Sequence, residues 1–454
     1  MSSEPQLQRV SPATVIGGAI AAVVALAALF TRVGSDAQWL AALGHVIWAR
    51  HAVPAGIPFA AAPTGHWPNS LVLAELVFGG LESALGDRGL MLAQLLAVAG
   101  ALTIVARDAR SGGAQAAGIA GALLLVALGS IASLAIVRVQ LFSLVLFPAL
   151  LALLRAEARA PSRRIWLALP LLALWSNLHG AALLGLGLLV AHLVLQRARR
   201  APLQAAAVAI AALPAMCLTP ALARTPAYYY GLLTNTAAQR GQGMWGPLSV
   251  SDPFDLLLVV AVLLLGVRAW RARPPLWELA VAIVLAALTV RADRDGVWLV
   301  FLLAAPAART LSPERFTRSL APVAIAAGVL LLVVSVARGP VPGGADAGLV
   351  HRAIVLADGT PVLADGSIDE QVALAGGHIW AGNPIDAFSR PVQSAYLDWL
   401  AASPGAAAAT AGVRVVLVTR GSQSQALMAR MPGFVAARAD RSAILYERTG
   451  RGLS

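Results

Sequence analysis

The sequence predicts a polytopic α-helical membrane protein that ends in a small α/β unit. Three observations carry this expectation. Apolar runs recur from Ala13 to Ala337, most of them close to the roughly 20 residues that a crossing requires. Charged residues are only 12% of the 454, with a mean hydropathy of +0.75, about half the charge of a soluble chain. Beyond Gly339 the apolar runs give way to short alternating stretches separated by turn residues.

The net charge of +12 comes entirely from arginine, because the chain contains no lysine. These arginines fall mostly in short loops between apolar runs, where membrane orientation places them. That placement argues against a nucleic-acid partner, which a dispersed basic surface would suggest. The single Cys217 excludes an internal disulfide and a cysteine metal cluster. The first apolar run lacks a small-residue cleavage site behind it and is expected to remain as an uncleaved helix.

The first span is expected at Ala13–Phe30, with Arg9 on its cytoplasmic side. A long outer loop, 33–88, follows and opens with Asp36. In it Trp39, Leu40, Leu43, Ile47 and Trp48 fall on one helical face, the pattern of a helix lying in the membrane interface. Pro54, Pro58, Pro63 and Pro68 then break the chain into an extended segment. The run Leu71–Leu85 is short and carries Glu75 and Glu82. If it spans, every later arginine-rich loop lands outside, so it is expected as a second interfacial helix with both glutamates on its wet side.

Later spans are expected near 89–106, 116–136, 139–154, 203–220, 254–268, 275–291, 296–309 and 319–338. The stretch 165–196 would be about 48 Å long as one helix, with arginines at both ends. It is expected to go out and return, turning at Ser176–Gly180. The total is about eleven spans. This places Arg107, Arg155, Arg197, Arg268, Arg309, Arg315 and Arg318 inside. A second outer loop, 222–252, is rich in tyrosine, glycine and polar residues. Residues 1–338 thus form the membrane part and 339–454 the outer unit, with strands expected at Pro361–Leu363, Arg414–Val418, Phe434–Ala437 and Ala443–Tyr446. A helix is expected around Val392–Leu400.

The outer face collects Asp36, Arg138, Gln140, Asn177, His179, Trp245 and Arg294, with Arg224, Arg240, Arg291 and Asp293 nearby. Guanidinium forks suit a lipid phosphate, being planar and permanently charged. A carboxylate within reach of a hydroxyl can take its proton. Each residue also has a simpler reading. Asp36 is a favoured helix N-cap, Arg138 suits a membrane anchor, and Asn177 and His179 can satisfy backbone groups at a turn. Asp293, between Arg291 and Arg294, reads as a local ion-pair partner.

The layout resembles the GT-C class of membrane glycosyltransferases, and more closely a group of bacterial membrane proteins with a GT-C-like core. The residues that carry the resemblance are Ser35-Asp36-Ala37-Gln38-Trp39, Arg138-Val139-Gln140-Leu141-Phe142-Ser143 and Trp175-Ser176-Asn177-Leu178-His179-Gly180. Towards the end come Gly376-Gly377-His378-Ile379-Trp380, Pro384-Ile385-Asp386 and Val413–Arg420. The resemblance implies transfer of a sugar from a polyprenyl-phosphate carrier to an acceptor at the outer side of the bacterial cytoplasmic membrane. It implies Asp36 as the general base, with Arg138, Gln140, Asn177, His179, Trp245 and Arg294 binding substrate. Many such enzymes place a second acid beside the first and use a divalent metal. Here Ala37-Gln38 follow, so no metal ligands are assigned. The alternative is a transporter, flippase-like or envelope-assembly protein that binds lipid-linked glycans without chemistry. A transporter is expected to place ionisable groups in mid-span, and apart from His192 the spans carry almost none.

Overall fold

The computed structural model describes residues 11–34, 36–311 and 316–449, without the side chains of Met244, residues 316–321 and Ala324. Arg9, Ser35 and Arg315 lie outside the described residues, as does the side chain of Arg318. Helix α1, Pro12–Phe30, begins where the Ser11 hydroxyl accepts the Thr14 N–H at 3.1 Å and Pro12 fills the first turn. Strand β1, Arg32–Val33, follows. Helices α2, Ala37–Arg50, and α3, Val72–Leu85, come next. Helix α4, Asp87–Ser111, and α5, Ala116–Ala135, lead to strand β2, Ile136–Val137, and then α6, Leu141–Arg159.

Helices α7, Ala168–Ser176, and α8, Ala182–His192, are two arms of a hairpin turning at Asn177–Ala181. Then come α9, Pro202–Met216, and two short helices, α10, Thr225–Thr234, and α11, Thr236–Arg240. Helices α12, Pro253–Arg271, α13, Leu276–Arg291, α14, Gly296–Ala308, and α15, Phe316–Arg338, complete the bundle. Among the described residues, α1, α4, α5, α6 and α12 are each long and apolar enough to cross a membrane.

Ion pairs mark one end of the bundle. Arg155 of α6 reaches Asp108 of α4 and Glu278 of α13, each at 2.8 Å. Arg159, Arg273 and Arg309 lie around the same pocket. At the opposite end Arg338 donates to the Leu29 carbonyl, and Arg88 to that of Ala337, each at 3.0 Å. Helices α2 and α3 and the C-terminal unit sit at this second end, away from the arginine-rich loops.

The C-terminal unit contains α16, Ala347–Ala357, strand β3, Val362–Ala364, α17, Ile368–Leu374, and α18, Arg390–Leu400. Strands β4, Val415–Thr419, β5, Phe434–Ala439, and β6, Ala443–Arg448, complete a sheet of order β3-β4-β6-β5. β3 and β4 are parallel, and β6 is antiparallel to both its neighbours. The loop between α2 and α3 extends this sheet: Ile379 N–H donates to the Phe59 carbonyl and Ala61 N–H to that of Ile379, both at 2.8 Å. Arg240 pairs with Asp398 at 2.6 Å, and Thr236 N–H meets the Gln393 side chain at 2.7 Å. The unit is therefore stitched to the bundle at several points.

Two expectations are corrected here. Helix α2 does not present one apolar face and one wet face, because Ala37 to Gly44 are buried all round and the exposed residues are those of its last turn, Trp48, Ala49 and Arg50. The cover comes from α3 and from α17, more than 300 residues later, which no local pattern can reveal. Glu75 is not on a wet side either: it is fully buried, takes the Asn69 amide at 2.9 Å, and burial pushes its carboxyl up to about 8. The reason is the close approach of α2, where a Cβ on Gly44 would lie 2.0 Å from the Glu75 carbonyl oxygen. Glu82 keeps a partly exposed place, 3.0 Å from His45.

Candidate active site

The parallel pairing of β1 with β2 builds the site. It aligns Val33 with Val137, and Gly34 N–H donates to the Val137 carbonyl at 3.1 Å. Only glycine fits at 34, since a Cβ there would sit 2.2 Å from an Ile136 methyl. Three residues past β1 and one residue past β2, Asp36 stands against Arg138, with Oδ2 3.9 Å from Nε.

Asp36 has φ 81°, in the left-handed region. A non-glycine residue there costs about 1–2 kcal/mol, and aspartate tolerates it better than most. Such strain persists where the surroundings enforce it, often at functional sites. Here Glu370 of α17 enforces it. Its carboxylate accepts the backbone N–H groups of Asp36 at 2.8 Å, Gln38 at 3.2 Å and Trp39 at 3.4 Å, and the Asn383 amide at 2.8 Å. Glu370 thus caps α2 from another part of the chain, and the Asp36 side chain makes no capping bond. Burial, with the Asp36 charge nearby, pushes the Glu370 carboxyl above its ordinary value. Sequence reasoning missed Glu370, because Asp369-Glu370 opening a helix reads as acids complementing that helix's own dipole.

Asp36, Gln140, His179, Trp245 and Arg294 line one cavity of about 350 Å³. Asn383 and Asp386 of the C-terminal unit close it, and leucines 183, 184, 232, 233 and 288 form an apolar wall. The Trp175 indole donates to the Ser143 hydroxyl at 2.6 Å, and Ser143 Oγ lies 2.6 Å from His179 Nδ1. Ser143 accepts from Trp175 and keeps its own hydrogen free to give to Nδ1, an arrangement in which Nε2 carries the ring hydrogen. Burial, with Arg294 and Arg138 nearby, pushes His179 down to about 3, so the ring is neutral. This network ties the Arg138–Ser143 motif to the Trp175–Gly180 motif.

Arg294 lies over the Trp245 ring, 4.7 Å from its centroid. Arg138 stands beside Asp36 but is not among the residues lining the cavity. Asn177 also lies outside it: its amide donates to the Ala173 carbonyl at 2.8 Å and the Leu218 carbonyl at 2.7 Å, fixing the α7–α8 turn. Arg224 binds the His66 carbonyl and Arg291 that of Ala238. Asp293 forms no ion pair among the described residues, contrary to the expected pairing with its flanking arginines. Those side chains are drawn elsewhere, Arg291 to Ala238 and Arg294 to Trp245.

The group paired with Asp36 is a guanidinium, and among the described residues no group of three or more His, Cys, Asp or Glu able to hold a metal ion occurs.

No protein-family model matches the chain, and no curated protein does. Solved structures do. ArnT from Cupriavidus metallidurans bound to undecaprenyl phosphate superposes with a TM-score of 0.53 at 15% identity, over 95% of this chain and 97% of that one. The same protein in the apo state gives 0.54 at 15% identity with the same coverage. The fold is that of the GT-C class of membrane glycosyltransferases. The likeness is one of architecture. A mycobacterial arabinofuranosyltransferase, AftD, gives a TM-score of 0.49 at 14% identity, over 97% of this chain and 42% of that one.

Proposed function

We propose that the chain is a multi-pass transferase of the bacterial cytoplasmic membrane that moves a sugar from a polyprenyl-phosphate carrier to an acceptor hydroxyl at the outer face. The observation that carries this reading is the cavity itself, in which Asp36, Gln140, His179 and Arg294 face a wall of leucines. The apolar wall suits a polyprenyl chain, and Arg294 suits its phosphate. The TM-scores with ArnT, which was solved with undecaprenyl phosphate, support the same class of donor. The arginine-rich loops gather at the end opposite the C-terminal unit, which supports that unit lying outside and about eleven crossings, with α7 and α8 as two of them.

In this reading the acceptor oxygen attacks the anomeric carbon from the face opposite the phosphate, with inversion. Asp36 takes the hydroxyl proton as the new C–O bond forms. The C–O bond to phosphate breaks, and the polyprenyl phosphate leaves with the electron pair. Arg294 stabilises that developing charge, and neutral His179 offers its Nε2–H to the same oxygens or to the sugar. Arg138 pairs with Asp36 and orients it, leaving Arg294 as the phosphate ligand. Gln140 and Trp245 contact the sugar. No step passes through a metal.

Binding of undecaprenyl phosphate to the purified protein tests the donor assignment. Arg294→Ala should weaken it about 10- to 100-fold, the loss expected for a charged hydrogen bond, and Arg294→Lys should restore only part. Equal affinity for wild type and Arg294→Ala removes Arg294 from the phosphate site.

A further inference from the structure

A second cavity of about 310 Å³ adjoins the first. Three segments wall it: the loop at His66–Pro68, helix α10, and residues 386–393 of the C-terminal unit. Tyr228, Asn235 and Asp386 line both cavities, so the two share a partition. Their chemistry differs. The first has its leucine wall, whereas among the described residues no leucine, isoleucine or valine lines the second. Trp67, Tyr230 and Phe388 supply aromatic rings instead, and Ser389 and Arg390 supply hydrogen-bonding groups, the Gln393 amide being taken by the Thr236 N–H and the Phe388 carbonyl. Tyr230 is 68% exposed and Arg390 is exposed, so no part of the described chain covers the mouth. Asp386 accepts the Trp67 indole N–H at 2.9 Å, which holds its carboxylate at the partition.

Aromatic faces flanked by planar polar side chains suit a sugar, whose C–H face packs on a ring while its hydroxyls bond to amides, carboxylates and guanidinium. The volume lies at the lower end of small-molecule sites. A polyprenyl chain finds no aliphatic wall here. We infer that this second cavity is the acceptor subsite and takes a saccharide or similar polyhydroxylated, water-borne molecule, whose reacting hydroxyl passes the Tyr228–Asn235–Asp386 partition towards Asp36. The inference rests on the lipid-linked transferase reading. It adds that the C-terminal unit forms one wall of the acceptor site. The transfer balances as above: the acceptor oxygen gains the anomeric carbon, its proton goes to Asp36, and polyprenyl phosphate departs.

The test uses the full chain in nanodiscs with maltotriose as the probe saccharide, read by saturation-transfer NMR. Wild type should transfer saturation to the maltotriose ring protons. Tyr230→Ala and Arg390→Ala should each bind it about 2- to 10-fold more weakly, the range for one aromatic or polar contact. Undecaprenyl phosphate binding, measured separately, should be unchanged in both variants, and adding that lipid should not displace maltotriose. Absence of saturation in wild type overturns the inference. So does unchanged binding in Tyr230→Ala, which leaves that ring as a membrane-interface aromatic. Displacement by the lipid assigns the cavity to the donor instead. Maltotriose binding without any undecaprenyl phosphate binding removes the donor reading while the saccharide site stands.

Discussion

At the residue scale, Asp36 combines a strained backbone with a side chain that no helix cap consumes, and Glu370 makes both possible. Glutamine at 370 keeps the volume but offers one acceptor oxygen and turns an NH₂ towards backbone donors. Glu370→Gln should cost about 1–3 kcal/mol of stability, the penalty for unsatisfied buried donors, and should lower transfer as Asp36 loses its fixed φ. Differential scanning fluorimetry and turnover on the same preparation check this. Glu75 gives a pH prediction. Its folded value of about 8 lies above the ordinary 4.5, so the native state holds a proton that the unfolded state has released. Its stabilising contribution is complete below 4.5 and is lost as pH rises through about 8. Glu75→Gln should flatten the fall in unfolding midpoint over that range, and an unchanged slope would show that other groups dominate. The sequence exposed Asp36, Gln140, His179, Trp245 and Arg294, because rare polar residues stand out in an apolar chain. Glu370 stayed hidden, because its partners are backbone N–H groups 331 to 334 positions away.

At the element scale, the helices were readable from apolar runs and from arginines at their ends, including the turn at Asn177–Gly180 that separates α7 from α8. Burial of α2 was not readable, since its surroundings are set by α3 and α17. The α2–α3 crossing depends on glycines at 44 and 79, where backbones nearly touch. Gly44→Ala has no room for its methyl and should lower stability by about 1–3 kcal/mol through overpacking. It should also move Trp39, next to the cavity, which intrinsic fluorescence would register. Gly80→Ala, where a Cβ meets nothing within 4 Å, is the matched control and should be close to neutral.

At the scale of the whole molecule, the C-terminal unit lines both cavities and caps α2, so bundle and unit pack as one body. Short strands at its end were legible from alternation and turns, but its seam with the bundle was not, because β-bridges between residues 60 and 379 leave no local trace. Orientation is open to direct labelling. With Cys217→Ser, a cysteine at exposed Ser389 should react with an impermeant thiol reagent in spheroplasts, whereas one at exposed Arg163 should react only after lysis. The reverse pattern would put the site on the cytoplasmic face. The central claim is that Asp36 is the base of a lipid-linked transfer, and one substitution isolates it. Asparagine accepts a left-handed φ, and the Asp36 side chain caps nothing, so Asp36→Asn should fold normally and bind undecaprenyl phosphate as wild type does. Purified protein is added to host membranes, and release of free polyprenyl phosphate from its sugar-bearing form is followed by mass spectrometry. The account predicts about 10²- to 10⁴-fold slower release for Asp36→Asn. Wild-type release by the folded variant would contradict it.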